Sequence, residues 1–200
     1  MKTGILGGTF NPIHVGHIMV ADVVQKEMGL NKVVFIIAGQ PWLKSSASIL
    51  SSKHRLNMVK LATADKSSFS VSTMEIERKG PTYSVYTIVE MSREMSGDDD
   101  LFFIIGRDNL EDLPKWYQLE RLVSLCRLVV VPRAGFPFPN LESLEVTIPG
   151  ITHRVIMLDK PQIDVSSSVI RQRVRHGLPI DNLVPKVVEE YIKENGLYKE

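Results

Sequence analysis

Short apolar, β-branched runs alternate along this chain with longer stretches of helical spacing. No other feature limits the fold as much. TGILGG (Thr3 to Gly8), KVVFIIAG, LFFIIG and RLVVVPR read as buried strands, and RVIMLD as a last short one. From Val15 to Met28 the residues Val20, Val23, Val24 and Met28 recur at helical spacing, and Gly29 supplies a stop. SSKHRLNMVKLATAD, TYSVYTIVEMSREM, SSSVIRQRVRHG and VPKVVEEYIKENG read as further helices. FSVSTMEI alternates like a strand, and the Pro and Gly residues between 132 and 150 read as a surface excursion. Fully apolar strands separated by helices imply βαβ units and an α/β fold, with a mostly parallel sheet covered on both faces. Ligands of such sheets sit beyond the carboxyl ends of the strands, where the winding reverses. With no internal repeat or linker, residues 1–200 are expected to form a single domain.

Composition narrows the partners. The 200 residues carry a formal net charge of +1, so no strong field favours nucleic acid. No apolar run approaches the roughly 18 residues of a membrane span. The single cysteine, Cys126 in LVSLCRLVVV, cannot form an intramolecular disulfide and reads as a buried small hydrophobe. A cytoplasmic location fits that reading, and the opening strand lacks the form of a signal peptide. An isologous homodimer suits this size, although no apolar stripe demands one.

The chemistry concentrates in two places. The first is GGTFNPIHVGH, directly after the first strand. Gly7 and Gly8 permit a tight turn and close backbone approach, Asn11-Pro12 is a turn pair, and His14 and His17 share one side of a helix start. Free N–H groups and the dipole at that start suit phosphate, and the imidazoles add donors that are neutral or charged near neutral pH. Gly16 leaves room for a ligand against the backbone. Neither the Walker loop nor G-x-G-x-x-G is present. A plain glycine turn with two exposed cap histidines is the competing reading. A metal site lacks adjacent cysteine or acidic ligands. The second place is DVSSSVIRQRVRHG, where Ser166 is a natural N-cap and Arg171 shares a face with Ser167. A guanidinium there matches phosphate oxygens bidentately.

GGTFNPIHVGH resembles the H-x-G-H signature of the nucleotidyltransferase superfamily, and Val165 to Arg171 resembles its I-S-S-[ST]-x-[IL]-R signature. HRLNMVKLA, PTYSVYTIVEM, FFIIGRDNLEDLPKWYQLERL, VVVPRAG and the closing VPKVVEEYIKENGLY are similar to the bacterial nicotinate-nucleotide adenylyltransferases. The resemblance covers essentially the whole chain. It implies a Rossmann-like doubly wound fold in which residues 160–200 complete a triphosphate site. It implies adenylyl transfer from ATP to nicotinate mononucleotide, giving deamido-NAD and pyrophosphate in NAD biosynthesis. His14, His17 and Arg171 would then be catalytic. Gly7, Gly8, Thr9, Phe10, Gly16, Gly106, Asp108, Ser167 and Ser168 would bind ATP. Lys44, Ser84, Trp116 and Arg133 would bind the acceptor. Mg²⁺ would arrive on the triphosphate, held by phosphate oxygens and waters, with no metal ligands from the protein.

The chain departs from the family pattern at four points. Asn11 stands where Asp is usual, and PWLK (Pro41 to Lys44) replaces P-P-H-K, so Trp42 and Leu43 are unusual. Tyr86 replaces an aspartate, and Arg107 fills the centre of G-x-D. These changes cluster on the acceptor side. They leave open nicotinamide mononucleotide or another phosphate acceptor, and a nucleotide sensor without catalysis. Residues 40 to 52 are a candidate lid.

Overall fold

A computed structural model describes residues 1–39, 49–97, 99–110, 112–133, 135–136 and 141–199. The chain runs β1 (Lys2–Gly8), α1 (Val15–Met28), β2 (Lys32–Ile37), α2 (Ser52–Thr63), β3 (Phe69–Ser72), α3 (Met74–Glu77) and α4 (Ser84–Arg93). It continues through β4 (Asp100–Gly106), α5 (Leu119–Leu125), β5 (Arg127–Val131), α6 (Leu141–Thr147), β6 (Val155–Met157), α7 (Ser167–Arg175) and α8 (Lys186–Glu194). Among the described residues the strands form one sheet in the order β3-β2-β1-β4-β5-β6, with every neighbouring pair parallel. The expectation of a mostly parallel doubly wound sheet therefore holds.

Strand periodicity divides the core in two. Leu6, Val33, Phe35, Phe102, Ile104 and Val129 face one side, where α1, α2, α7 and α8 bring Val24, Met58, Ile170 and Val188. Their strand neighbours Ile5, Val34, Ile36, Phe103, Ile105 and Val130 face the other side, against Ile88 of α4, Leu122 of α5 and Leu144 of α6. Both faces are buried, so the strands read as unbroken apolar runs. Winding runs outward from β1 through β2 to β3, then resumes beside β1 at β4. The crevice at the carboxyl ends of β1 and β4 is the switch point, where such sheets bind ligands.

The structure corrects two sequence readings. FSVSTMEI is a strand only as far as Ser72, because the Ser72 hydroxyl accepts the Met74 N–H and the backbone turns into α3. The excursion at 132–150 contains α6, which buries Leu144, and Ile148 just after it is buried too. Cys126 is buried as expected, and burial pushes its thiol up to about 12.

Candidate active site

β1 delivers the chain to the crevice at Gly7-Gly8. A Cβ on Gly8 would lie 2.9 Å from the Phe10 ring, whereas at Gly7 the nearest contact is an ordinary 3.8 Å to Phe103. Phe10 takes a left-handed backbone (φ 47) and its ring returns over Gly8 into the core, edge-on to His17 at 5.0 Å. Gly8 thus makes room for Phe10 itself. Gly16 behaves similarly: its added Cβ would lie 2.6 Å from Ile163 and 3.1 Å from the His14 ring. The space expected there for a ligand is taken by the protein's own side chains, although Gly16 still lines the cavity.

His14 is the N-cap of α1 and is 4% exposed, so the reading of two exposed cap histidines fails for it. Its ring stacks on His17 at 3.7 Å, and its backbone N–H donates to His17 Nδ1 at 3.2 Å. An Nδ1 that accepts leaves the His17 proton on Nε2, making that edge a donor. Burial, and then the charge of Arg133, lower His14 to about 4. It is therefore neutral at pH 7, and the expectation of a group titrating near neutrality does not hold for it. At the start of α1, the Val15 N–H donates to Leu183 O at 3.0 Å, so a late segment closes one of the helix's open donors.

The serine segment docks on the same turn. Ser166 caps α7 by accepting the Val169 N–H at 3.3 Å, as its position predicts. The Ser167 hydroxyl donates to Pro12 O at 2.9 Å, and Arg171 donates through Nη1 to Asn11 O at 2.9 Å and through Nη2 to Ser168 Oγ at 3.2 Å. Two motifs more than 150 residues apart become one surface.

β4 and β5 supply the opposite wall. A Cβ on Gly106 would lie 2.3 Å from Asp108 Oδ1, so glycine permits the carboxylate to fold back over the strand end. Arg133 Nε lies 3.9 Å from Asp108 Oδ2. Trp116 packs edge-to-face on Phe103 at 6.0 Å and keeps part of its ring exposed. Ser84 is the first residue of α4, so its N–H is one of that helix's starting donors.

A single cavity of about 710 Å³ joins these walls. It is lined by Gly7, Gly8, Thr9, Phe10, Asn11, His14, Gly16 and His17 from the first motif, and by Ser167, Ser168 and Arg171 from the second. Ser84, Gly106, Asp108, Trp116 and Arg133 complete the set. Lys44, with Trp42 and Leu43, lies outside the described residues.

The cytidylyltransferase-like family matches residues 5–173. A probable nicotinate-nucleotide adenylyltransferase of Dehalococcoides mccartyi (strain ATCC BAA-2266 / KCTC 15142 / 195) is 46% identical over 198 residues, covering 99% of this chain and 97% of that one. Another, from Roseiflexus sp. (strain RS-1), is 41% identical over 196 residues, covering 98% and 97%. The chain belongs to the nicotinate-nucleotide adenylyltransferase family. Its fold is also that of the Plasmodium falciparum nicotinic acid mononucleotide adenylyltransferase complexed with NaAD. That structure superposes with a TM-score of 0.77 at 22% identity, covering 98% of this chain and 97% of that one.

Several cavity-lining residues of this adenylyltransferase escape a motif reading. Tyr83 and Tyr117 stack at 4.6 Å beside Trp116. Glu75 accepts from the Thr87 hydroxyl at 2.6 Å, and burial raises its carboxyl above the ordinary range. Arg78 Nη1 donates to the same hydroxyl at 3.1 Å, so Thr87 is held from both sides. Arg55, outside the cavity wall and only 2% exposed, donates to Leu50 O at 3.1 Å, Thr9 O at 2.8 Å and Gly39 O at 3.5 Å. It ties α2 to the turns that follow β1 and β2. The arginine and methionine of HRLNM were the visible signal. No local pattern encodes the three carbonyls that Arg55 engages.

Proposed function

We propose that this adenylyltransferase joins the adenylyl group of MgATP to the 5′-phosphate of nicotinate mononucleotide, forming nicotinate adenine dinucleotide and pyrophosphate. The observation that carries this reading is the single cavity shared by both phosphate-type motifs and the wall with Trp116 and Arg133. Relatives at 41–46% identity are named as probable nicotinate-nucleotide adenylyltransferases, which supports the nicotinate form.

A phosphate monoester is already anionic at pH 7, so the reaction needs no catalytic base. An acceptor oxygen attacks the α-phosphorus, the bond to the bridging oxygen breaks, and pyrophosphate leaves with the electron pair. What the protein supplies is alignment and charge stabilisation. His17 Nε2–H and Arg171 would meet the charge on the phosphorus and the leaving group. Ser167, Ser168 and the start of α7 would hold the triphosphate, and Asp108 would accept ribose hydroxyls beside Gly106. His14, neutral and buried, would act through a hydrogen bond rather than a charge. Trp116 would stack on the pyridine ring, the Ser84 N–H would face its carboxylate, and Arg133 and Lys44 would hold the acceptor phosphate. Among the described residues no cluster of three or more His, Cys, Asp or Glu is set to bind a metal. In this reading Mg²⁺ would arrive on the triphosphate, held by phosphate oxygens and waters. Residues 160–200 would act within one domain by closing the triphosphate side, and a free thiol at Cys126 fits a reducing cytoplasm.

The test is pyrophosphate release with MgATP and each of three acceptors: nicotinate mononucleotide, nicotinamide mononucleotide and phosphopantetheine. The expected result is strong preference for the nicotinate form. Equal or better use of another acceptor would overturn the acceptor assignment. Saturable ATP binding with no release from any acceptor would overturn the reaction.

A further inference from the structure

An anion site must keep acceptor oxygens out of the anion's path. In the turn after β1, the oxygens of Thr9, Asn11 and Pro12 are engaged by Arg55, Arg171 and Ser167. The side-chain oxygen of Asn11 is a further acceptor in this turn. Asn11 is 4% exposed and lines the cavity. Its amide presents an acceptor on one edge and donors on the other, and a half-turn about the last side-chain bond exchanges them.

Two donors fix which way that amide points. The Leu50 N–H donates to Asn11 Oδ1 at 3.3 Å, and the Tyr198 hydroxyl donates to the same oxygen at 2.9 Å across 187 positions of chain. Tyr198 adopts a left-handed backbone (φ 63), rare for a side chain of its bulk, and its preceding residue Leu197 is buried in the core. The segment beyond α8 is thus held in a strained shape that delivers one phenol to one amide. Burial raises the phenol's pKa, so the hydroxyl keeps its proton at any working pH.

We infer that Tyr198 is a positioning residue for the triphosphate turn: it holds the Asn11 amide with its oxygen turned away from the phosphates. The inference rests on the adenylyl-transfer reading above. It gives the chain's closing segment a function in ATP binding that neither phosphate motif contains.

The test is Tyr198→Phe, which removes one oxygen and keeps the ring. Wild type is assayed first for pyrophosphate release from MgATP and nicotinate mononucleotide. An inactive wild type would sink the reaction reading, whereas an active one leaves this inference to the variant. In Tyr198→Phe, kcat/KM for ATP is expected to fall about three- to tenfold, the scale of one hydrogen bond. The KM for nicotinate mononucleotide should stay within about twofold, since the acceptor wall is untouched. The same substitution is then made in Asn11→Ala and in Asn11→Leu, which leave the Tyr198 hydroxyl no side-chain acceptor at position 11. If either background folds poorly, the other serves. There the effect of Tyr198→Phe should shrink below about twofold. An unchanged kcat/KM for ATP in Tyr198→Phe, or an equal loss in the backgrounds without the amide, would overturn the assignment.

Discussion

His14 shows how much a single side chain changes when burial is counted. At i and i+3 with His17 it reads as one of two similar imidazoles. In the structure the two differ: His14 caps the helix and is buried to 4% exposure, while His17 accepts a backbone N–H and presents a donor edge. Arg133 and the His17 ring are the charged and titratable neighbours of His14. Its lowered value, about 4 against 6.5 unfolded, carries a stability consequence. Between those values the unfolded chain binds the extra proton, so acid favours unfolding. His14's contribution is complete above about pH 6.5 and drains as pH falls toward about 4. Integrated from pH 7.5 to pH 5, that loss is about 2 kcal/mol. Denaturant titrations at both pH values should therefore show wild type losing about 2 kcal/mol more than His14→Gln. Identical losses would mean that His14 titrates normally.

Among the elements, legibility depended on whether the signal was local. α1 was read with its true bounds because Val20, Val24 and Met28 mark one face and Gly29 takes the left-handed C-cap (φ 61). The central strands β2, β4 and β5 were equally plain, since both faces are buried and their cores are continuous apolar runs. α6 was missed although Leu141, Leu144 and Ile148 have helical spacing. The surrounding Pro and Gly masked a helix of only 7 residues. Gly16 was misread for a different reason. Its missing Cβ admits Ile163, a residue 147 positions later, and no local pattern encodes that contact. Gly16→Ala should therefore destabilise by about 1–3 kcal/mol through overpacking at the start of α1. Ile163→Ala removes the methyl that would collide at 2.6 Å and should recover much of that loss when combined with it. Strictly additive effects in thermal or denaturant melts would show that the clash is not at Ile163.

At the scale of the whole molecule, the sheet's reversal at β1 and β4 determines what chemistry is available. The histidine and serine-arginine motifs, proposed to bind phosphate, were visible in the sequence because each is contiguous. Their assembly was not, because it depends on α7 returning to the turn after β1 and on Tyr198 reaching Asn11. The result is one cavity of about 710 Å³, within the range of sites that enclose a ligand, with the proposed triphosphate and acceptor walls facing a common space. That shared space favours direct transfer over two separate half-reactions. A covalent adenylyl-enzyme would need a free nucleophile on the wall. The thiol of Cys126 is buried in the other core cluster and pushed up to about 12. The proton of His17 sits on the edge that would have to attack, because Nδ1 already accepts from the backbone. The acceptor phosphate, by contrast, arrives ionised and needs only alignment. Initial-velocity lines for ATP at several fixed concentrations of acceptor should therefore intersect, and labelled pyrophosphate should not exchange into ATP when the acceptor is withheld. Parallel lines with acceptor-independent exchange would require an enzyme-bound adenylyl group and would overturn direct transfer.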